Sequence, residues 1–179
     1  MSEMTWFYDE NTGRYVVKGA RILFANFQGA EQNYNQAGKR NFRLVLDESL
    51  AEELKGRGVY VRERPGREEG DEPQMLTKIS VYKRDADIRF LSGKAMTSVT
   101  LDDDDPEKDG GVLVDREFQK GHVVNGKIGL EFHISRNTRV MNSSPYARVD
   151  TIILPIQKSR LLDEYDMDDI DFDDPFGED

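Results

Sequence analysis

Tyr15 to Phe27 reads YVVKGARILFANF, and the fold turns on what this stretch is. β-branched and aromatic residues dominate it, which is the composition of a strand packed on a pleated surface, and Gly19 marks a bend or bulge within it. The polar residues 28–38 that follow, rich in Gly and Asn, form a loop. Arg40 to Leu46 (RNFRLVL) then sets Phe42, Leu44 and Leu46 on one face and Asn41, Arg43 and Val45 on the other. That period of two is a second strand with one mixed face.

The chain continues in short strands. Asp47 or Ser49 offers a helix N-cap, Glu52 follows Ser49 by three as in a capping box, and Leu50, Ala51 and Leu54 supply a small apolar stripe before Gly56 and Gly58. One short helix fits there. Val59 to Arg64 is strand again, residues 65–73 are loop, and Met75 to Arg84 turns Ile79 and Val81 inward with Lys78, Ser80, Tyr82 and Arg84 outward. Asp87 to Leu91 is a further strand, and residues 102–111 (DDDDPEKDGG) are an acidic loop. Gly126 to Arg136 turns Ile128, Leu130, Phe132 and Ile134 inward after an Asn125-Gly126 turn, and Arg148 to Ile156 closes the series, with Pro155 at an edge or a strand end. Such a series predicts a mainly β, OB-fold-like antiparallel β-barrel with one short helix and long loops, since an α/β layer fold needs helical crossovers between strands.

Charge divides the chain in two. Residues 163–179 (DEYDMDDIDFDDPFGED) hold ten of the thirty-five acidic residues and no basic one, so residues 1–162 carry twenty-five acids against twenty-five bases. The net charge of −10 therefore belongs to the tail. Ten like charges in seventeen residues do not bury enough apolar surface to offset chain entropy, so a disordered acidic tail is expected after a barrel domain spanning residues 1–162. Met167, Ile170, Phe172 and Phe176, spaced along it, read as a recognition peptide for a basic-rimmed pocket on a partner.

Basic and aromatic side chains interleave on the outward faces. Tyr60, Arg62 and Arg64 share one strand face, and Lys78, Tyr82 and Arg84 another. Arg14, Lys18, Arg21, Phe27, Tyr34, Lys39, Arg40 and Arg43 crowd the first hairpin. Rings stack on unpaired bases while cations track phosphates, so this pattern suits single-stranded nucleic acid. The predicted DNA-binding set is Arg21, Phe27, Tyr34, Lys39, Arg40, Arg43, Tyr60, Arg62, Lys78, Tyr82 and Arg84. Three placements are open to Trp6, Phe7 and Tyr8: packing on the barrel, which is favoured, capping a homodimer, or stacking on a base.

Catalysis finds no support in the motifs. There is no cysteine, which fits a reducing cytosol, no Lys-Ser or Lys-Thr phosphate loop and no nucleophile elbow. The run Asp102 to Asp105 lacks the spaced ligands of a Ca²⁺ loop, and His122 and His133 lack zinc-ligand spacing, so no metal or other cofactor is expected and a metal-dependent nuclease is the weaker alternative. An acidic DNA mimic that binds a host nuclease or polymerase is the other, and the balanced charge of residues 1–162 argues against it. No apolar run is long enough to span a membrane.

The order Gly19 to Phe27, Arg40 to Asp47, Glu72-Pro73 before Lys78 to Val81, and Val124 to Gly129, followed by the acidic end Asp173-Asp174-Pro175-Phe176, resembles the single-stranded-DNA-binding proteins of bacteria and tailed bacteriophages. The resemblance implies an OB-fold that coats single-stranded DNA during phage replication, recombination or repair, in the cytoplasm of the infected host. It also implies a tail that recruits replication or recombination proteins through Asp171, Asp173, Asp174, Pro175 and Phe176. In the bacterial proteins the phenylalanine is the last residue, whereas Gly177, Glu178 and Asp179 follow it here, which points to a phage-specific partner.

Overall fold

The computed structural model describes residues 4–31, 36–66, 68, 70 and 72–157. The tail, including Asp171, Asp173, Asp174, Pro175 and Phe176, and the predicted site residue Tyr34 lie outside the described residues. In chain order the elements are β1 (Thr5–Asp9), β2 (Arg14–Ala20), β3 (Ile22–Asn26), β4 (Arg40–Leu46), α1 (Glu48–Gly56) and β5 (Arg62–Arg64). They continue with β6 (Gln74–Val81), β7 (Asp87–Ser92), β8 (Ala95–Val99), α2 (Gly110–Gln119), β9 (Ile128–Ser135) and β10 (Tyr146–Pro155).

Only Arg21 separates β2 from β3, so the two are halves of one bent strand. Gly19, at φ +74°, supplies the bend in a backbone region where a side chain would be strained. The first half pairs with β9 and the second with β4. The pairings run β2-β9-β10-β6-β4-β3, so they begin and end on the same bent strand and curl the sheet into a barrel. This is the OB-like architecture expected, with β1 added as an edge on β2 and the β7–β8 hairpin carried on β10.

Two features depart from the expectation. β10 runs parallel to both β6 and β7, which is possible because the hairpin, an acidic loop and a second helix, α2, lie between them and return the chain in the same direction. Helix α2 begins where only loop was anticipated. Asp109 is its N-cap, accepting from Gly111 N at 2.9 Å, and Val114 is fully buried beneath it. Of the two caps offered for α1, Asp47 and Ser49, it is Asp47 that accepts from Leu50 N at 2.8 Å, with Leu50, Ala51 and Leu54 turned into the core.

Alternation fills the interior. Phe42, Leu44, Ile79, Ile128, Leu130, Phe132, Val149 and Ile152 are buried on the inner face, each contributing roughly 1.5–3 kcal/mol of apolar burial at most. Tyr15 stacks on Phe132 at 5.2 Å and donates to Glu53 at 2.7 Å. Trp6 and Tyr8 pack against Tyr15, and the Trp6 indole donates to Ser49. Phe7, on the alternate register of β1, remains exposed.

Candidate nucleic-acid interface

The outer faces of β4, β6 and the start of β10 form one continuous surface, because their registers align. Arg43 lies opposite Lys78, Asn41 opposite Ser80, and Ser80 in turn beside Arg148. Arg62 of β5 is registered on Leu76, two residues before Lys78. At one end of this surface a cleft of about 470 Å³ is lined by Lys39, Asn41, Lys78, Ser80, Tyr82 and Tyr146, with Asn137 from the loop before β10 at its rim.

Electrostatically the cations of β4, β5 and β6 act on one another. Burial, followed by the neighbouring Arg62, pushes the Arg43 guanidinium below its ordinary pKa. Burial, followed by Arg43 and Lys39, does the same to the Lys78 ammonium. Like charges held together against partial desolvation form a positive field that an external anion relieves.

At the cleft the aromatic component is a pair. The Tyr82 and Tyr146 rings lie 6.4 Å apart, tilted by 60°. Burial and a hydrogen bond to Tyr146 raise the Tyr82 pKa, and the same bond lowers that of Tyr146, as donor and acceptor should. Arg148 places its guanidinium 4.1 Å from the Tyr82 ring centre and is ion-paired to Asp85. Tyr82 is still 40% exposed, so the ring is held in place while part of it faces solvent.

The predicted residues divide three ways. Lys39, Arg43, Arg62 and Lys78 come together, with Tyr82 at the adjoining cleft. Tyr60 is exposed on the approach to β5, and Arg84 stands exposed in the turn after β6. Arg21 is exposed elsewhere, in a hollow with Met4, Gly19, Asp47 and Gly126.

Two predicted residues are corrected. Phe27 is fully buried, stacked between Phe42 at 5.3 Å and Phe118 at 6.1 Å, so its ring belongs to the core and is not open to a base. Arg40 is 7% exposed. Its guanidinium donates to Asp109 at 2.9 Å, Asp103 at 2.8 Å and the Phe27 carbonyl at 2.6 Å. Those acids absorb its charge, and the group is committed to structure.

The Arg40 cluster moors the loop that follows β3. Asp115 of α2 accepts from Phe27 N at 2.8 Å and Gln28 N at 3.0 Å, and Gly111 passes so close that a Cβ there would meet the Phe27 carbonyl at 2.2 Å. Lys39, at the loop's far end, is thereby carried to the cleft. Among the described residues no group of three or more potential metal ligands exists. The Asp102 carboxylate instead caps Asp104 N and Asp105 N. His133 is bonded to Asp150 at 2.9 Å, and His122 is buried against Glu117.

Tyr146, Arg148, Asn137 and Phe24 were not anticipated. A ring and a cation two residues apart at the start of β10 repeat the Tyr82/Arg84 pattern, which is the signal that marks the first two.

The family model described as "Putative phage ssDNA-binding domain" matches residues 7–103. The chain belongs to this family. The match spans the bent strand, β4, β6 and the β7–β8 hairpin, and so contains every cation of the shared surface except Arg148. Among solved structures, the chain is similar to the single-stranded DNA-binding protein from bacteriophage Enc34. The TM-score is 0.48 at 7% identity, covering 98% of this chain and 99% of that one. A C-terminal truncation of the Enc34 protein gives 0.48 at 8% identity over 83% and 88% of the two chains, and its complex with ssDNA gives 0.46 at 8% over 83% and 89%. No match to curated proteins was found by sequence. Among the described residues no helix is long and apolar enough to cross a membrane.

Proposed function

We propose that this family member binds single-stranded DNA without marked sequence preference, laying the strand across the outer face of β4, β6 and β10. The observation that carries the reading is the one-signed row Lys39, Lys78, Arg43 and Arg62 running into the Tyr82–Tyr146 cleft. Cations there meet phosphates, and Tyr82 takes a base, each stack contributing about 1–3 kcal/mol. Use of this face is a known habit of OB barrels, which bind oligonucleotides over their second and third strands, here β4 and β6. The protein acts in phage DNA replication, recombination or repair in the host cytoplasm, as a binding protein and not an enzyme.

Residues 1–162 form the binding domain and residues 163–179 the recruiting tail, with Asp171, Asp173, Asp174, Pro175 and Phe176 read by a replication or recombination protein. Ten tethered negative charges also compete with DNA for the basic face. A homodimer built on the exposed edge of β1, where Phe7 projects, is compatible with the same surface.

The test is fluorescence anisotropy with a labelled oligonucleotide of about 30 residues, its duplex and its RNA counterpart at two salt concentrations, which sets the electrostatic share of binding. Full-length protein and a form ending at Leu162 are compared. Salt-sensitive preference for the single strand, strengthened by truncation most at low salt, supports the reading. Equal binding of duplex and single strand would overturn it, and equal affinity of the two forms at low salt would remove the tail's competing role.

A further inference from the structure

Phe24 is a phenylalanine that the fold does not need. It sits at φ +54°, in the left-handed region that disfavours side-chain-bearing residues. It is also 55% exposed, so burial does not offset the strain. The β3–β4 register slips between Leu23 and Asn26, and this irregularity takes the ring out of the inward position that simple alternation from Ile22 would assign it. Outside the barrel it meets a cation: the Arg64 guanidinium lies 5.1 Å from its ring centre. A strained backbone holding an exposed ring beside an arginine is the kind of outlier from which a functional role is argued.

The placement is informative. Leu23, the preceding residue, is registered on Arg43, and Arg64 is registered on Gln74. Arg62, two residues before Arg64 and on the same face of β5, lies within the field of Arg43. Arg43 is in turn registered on Lys78, and Tyr82 follows Lys78 by four residues, roughly 13 Å at strand rise. Phe24 thus stands on the flank of the row formed by Arg62, Arg43, Lys78 and Lys39, beside Arg43, while the Tyr82–Tyr146 cleft lies at one end of it.

We propose that Phe24, with Arg64 beside it, is a second base-stacking platform, so that the bound single strand is held by a ring on the flank of the cation row as well as by the one at its end. This rests on the binding mode proposed above and adds a residue outside the predicted set. A base stacks on the exposed part of the Phe24 ring, and Arg64 meets the phosphate that base carries. Two platforms on one face suit an OB barrel, whose site sizes run from about 4 to 16 nucleotides.

Two variants test it. Phe24→Gly removes the ring and relieves the positive φ, so its melting temperature should equal or exceed that of the wild type. Its affinity for a 30-nucleotide oligothymidylate should fall roughly 5- to 100-fold with an unchanged salt slope, as expected for a lost stack. Phe24→Trp keeps a ring, so its affinity should stay near wild type and its emission, measured against the Trp6 baseline of the wild type, should be quenched by the oligonucleotide. Wild-type affinity in Phe24→Gly, or a tryptophan at position 24 whose emission ignores saturating DNA, would overturn the proposal. Failure of the wild type itself to bind in the same titration would instead count against the binding reading as a whole.

Discussion

Arg40 and Arg43 stand three residues apart on β4, and they have opposite fates. Arg40 is buried among Asp103, Asp109 and the Phe27 carbonyl. Arg43 is half-buried, and the charge that acts on it is another cation, Arg62. Both side chains give up hydration, but the first is repaid by two carboxylates, whereas Arg43 donates to the neutral Asn41 side chain at 3.2 Å. The contrast separates a cation used to hold the molecule together from one left for an external anion, and it turns on the neighbours and not on the residue type.

The most severe break in this contrast is Arg40→Met. It takes the guanidinium from Asp109, which is 5% exposed at its side chain and keeps the N–H groups of Asp102 and Gly111, and it removes the Arg40 donor from the Phe27 carbonyl. Removing one partner of a buried pair costs about 3–5 kcal/mol, to be read by urea denaturation. A loss below 1 kcal/mol accompanied by a shallower salt dependence of DNA binding would show that Arg40 faces nucleic acid after all.

Next in size is Tyr82→Ala, at the other end of the comparison. It should weaken single-stranded DNA binding by about 1–3 kcal/mol while leaving the salt slope unchanged, measured by anisotropy at several salt concentrations. A changed slope with little loss of affinity at one salt would mean that the substitution acts through Arg148, which rests on the Tyr82 ring.

These two residues also show what was legible from sequence. Lys78 and Tyr82 could be placed outward because β6 alternates without interruption, and the same regularity exposed the core at Phe42, Leu44, Ile128, Leu130 and Phe132. Arg40 could not be placed, because the acids that bury it lie more than sixty residues further along the chain and no local pattern announces them. Phe24 and Phe27 were hidden by the register slip in β3, since alternation carries no warning of a bulge. Helix α2 was obscured by the acidic residues and two glycines at its start, although Asp109 is the cap and Gly111 the point of closest approach to Phe27. The short strands β1 and β8, both at edges, have little burial to enforce an alternating pattern.

The mooring side of the comparison has its own pH dependence. Burial pushes the Asp115 carboxyl up to about 6, despite the two N–H groups that favour its charged form. Because its folded pKa lies above the ordinary unfolded value, the folded state takes up the proton first, so this group's contribution to stability rises as pH falls through 6. Between pH 7 and pH 5 the wild type should gain about 1 kcal/mol relative to Asp115→Asn, measured by denaturation at both pH values. A difference that does not move with pH would mean that Asp115 is ionised throughout and that its hydrogen bonds outweigh its burial.

The smallest effect is the most diagnostic of the cation row. Lys78 has its pKa lowered by burial, then by Arg43 and Lys39, so its charged form is disfavoured in the folded protein relative to the unfolded chain. The cost is present at neutral pH, below the folded pKa, and disappears as pH rises through it. Lys78→Met should therefore raise the melting temperature slightly at pH 7 while reducing the salt slope of single-stranded DNA binding by about 0.7, the contribution of one phosphate contact. Stability and binding moving in opposite directions is the signature of a charge kept for its partner. If Lys78→Met instead lowers the melting temperature and leaves the slope alone, Lys78 belongs with Arg40, and the cation row is part of the fold's own electrostatics.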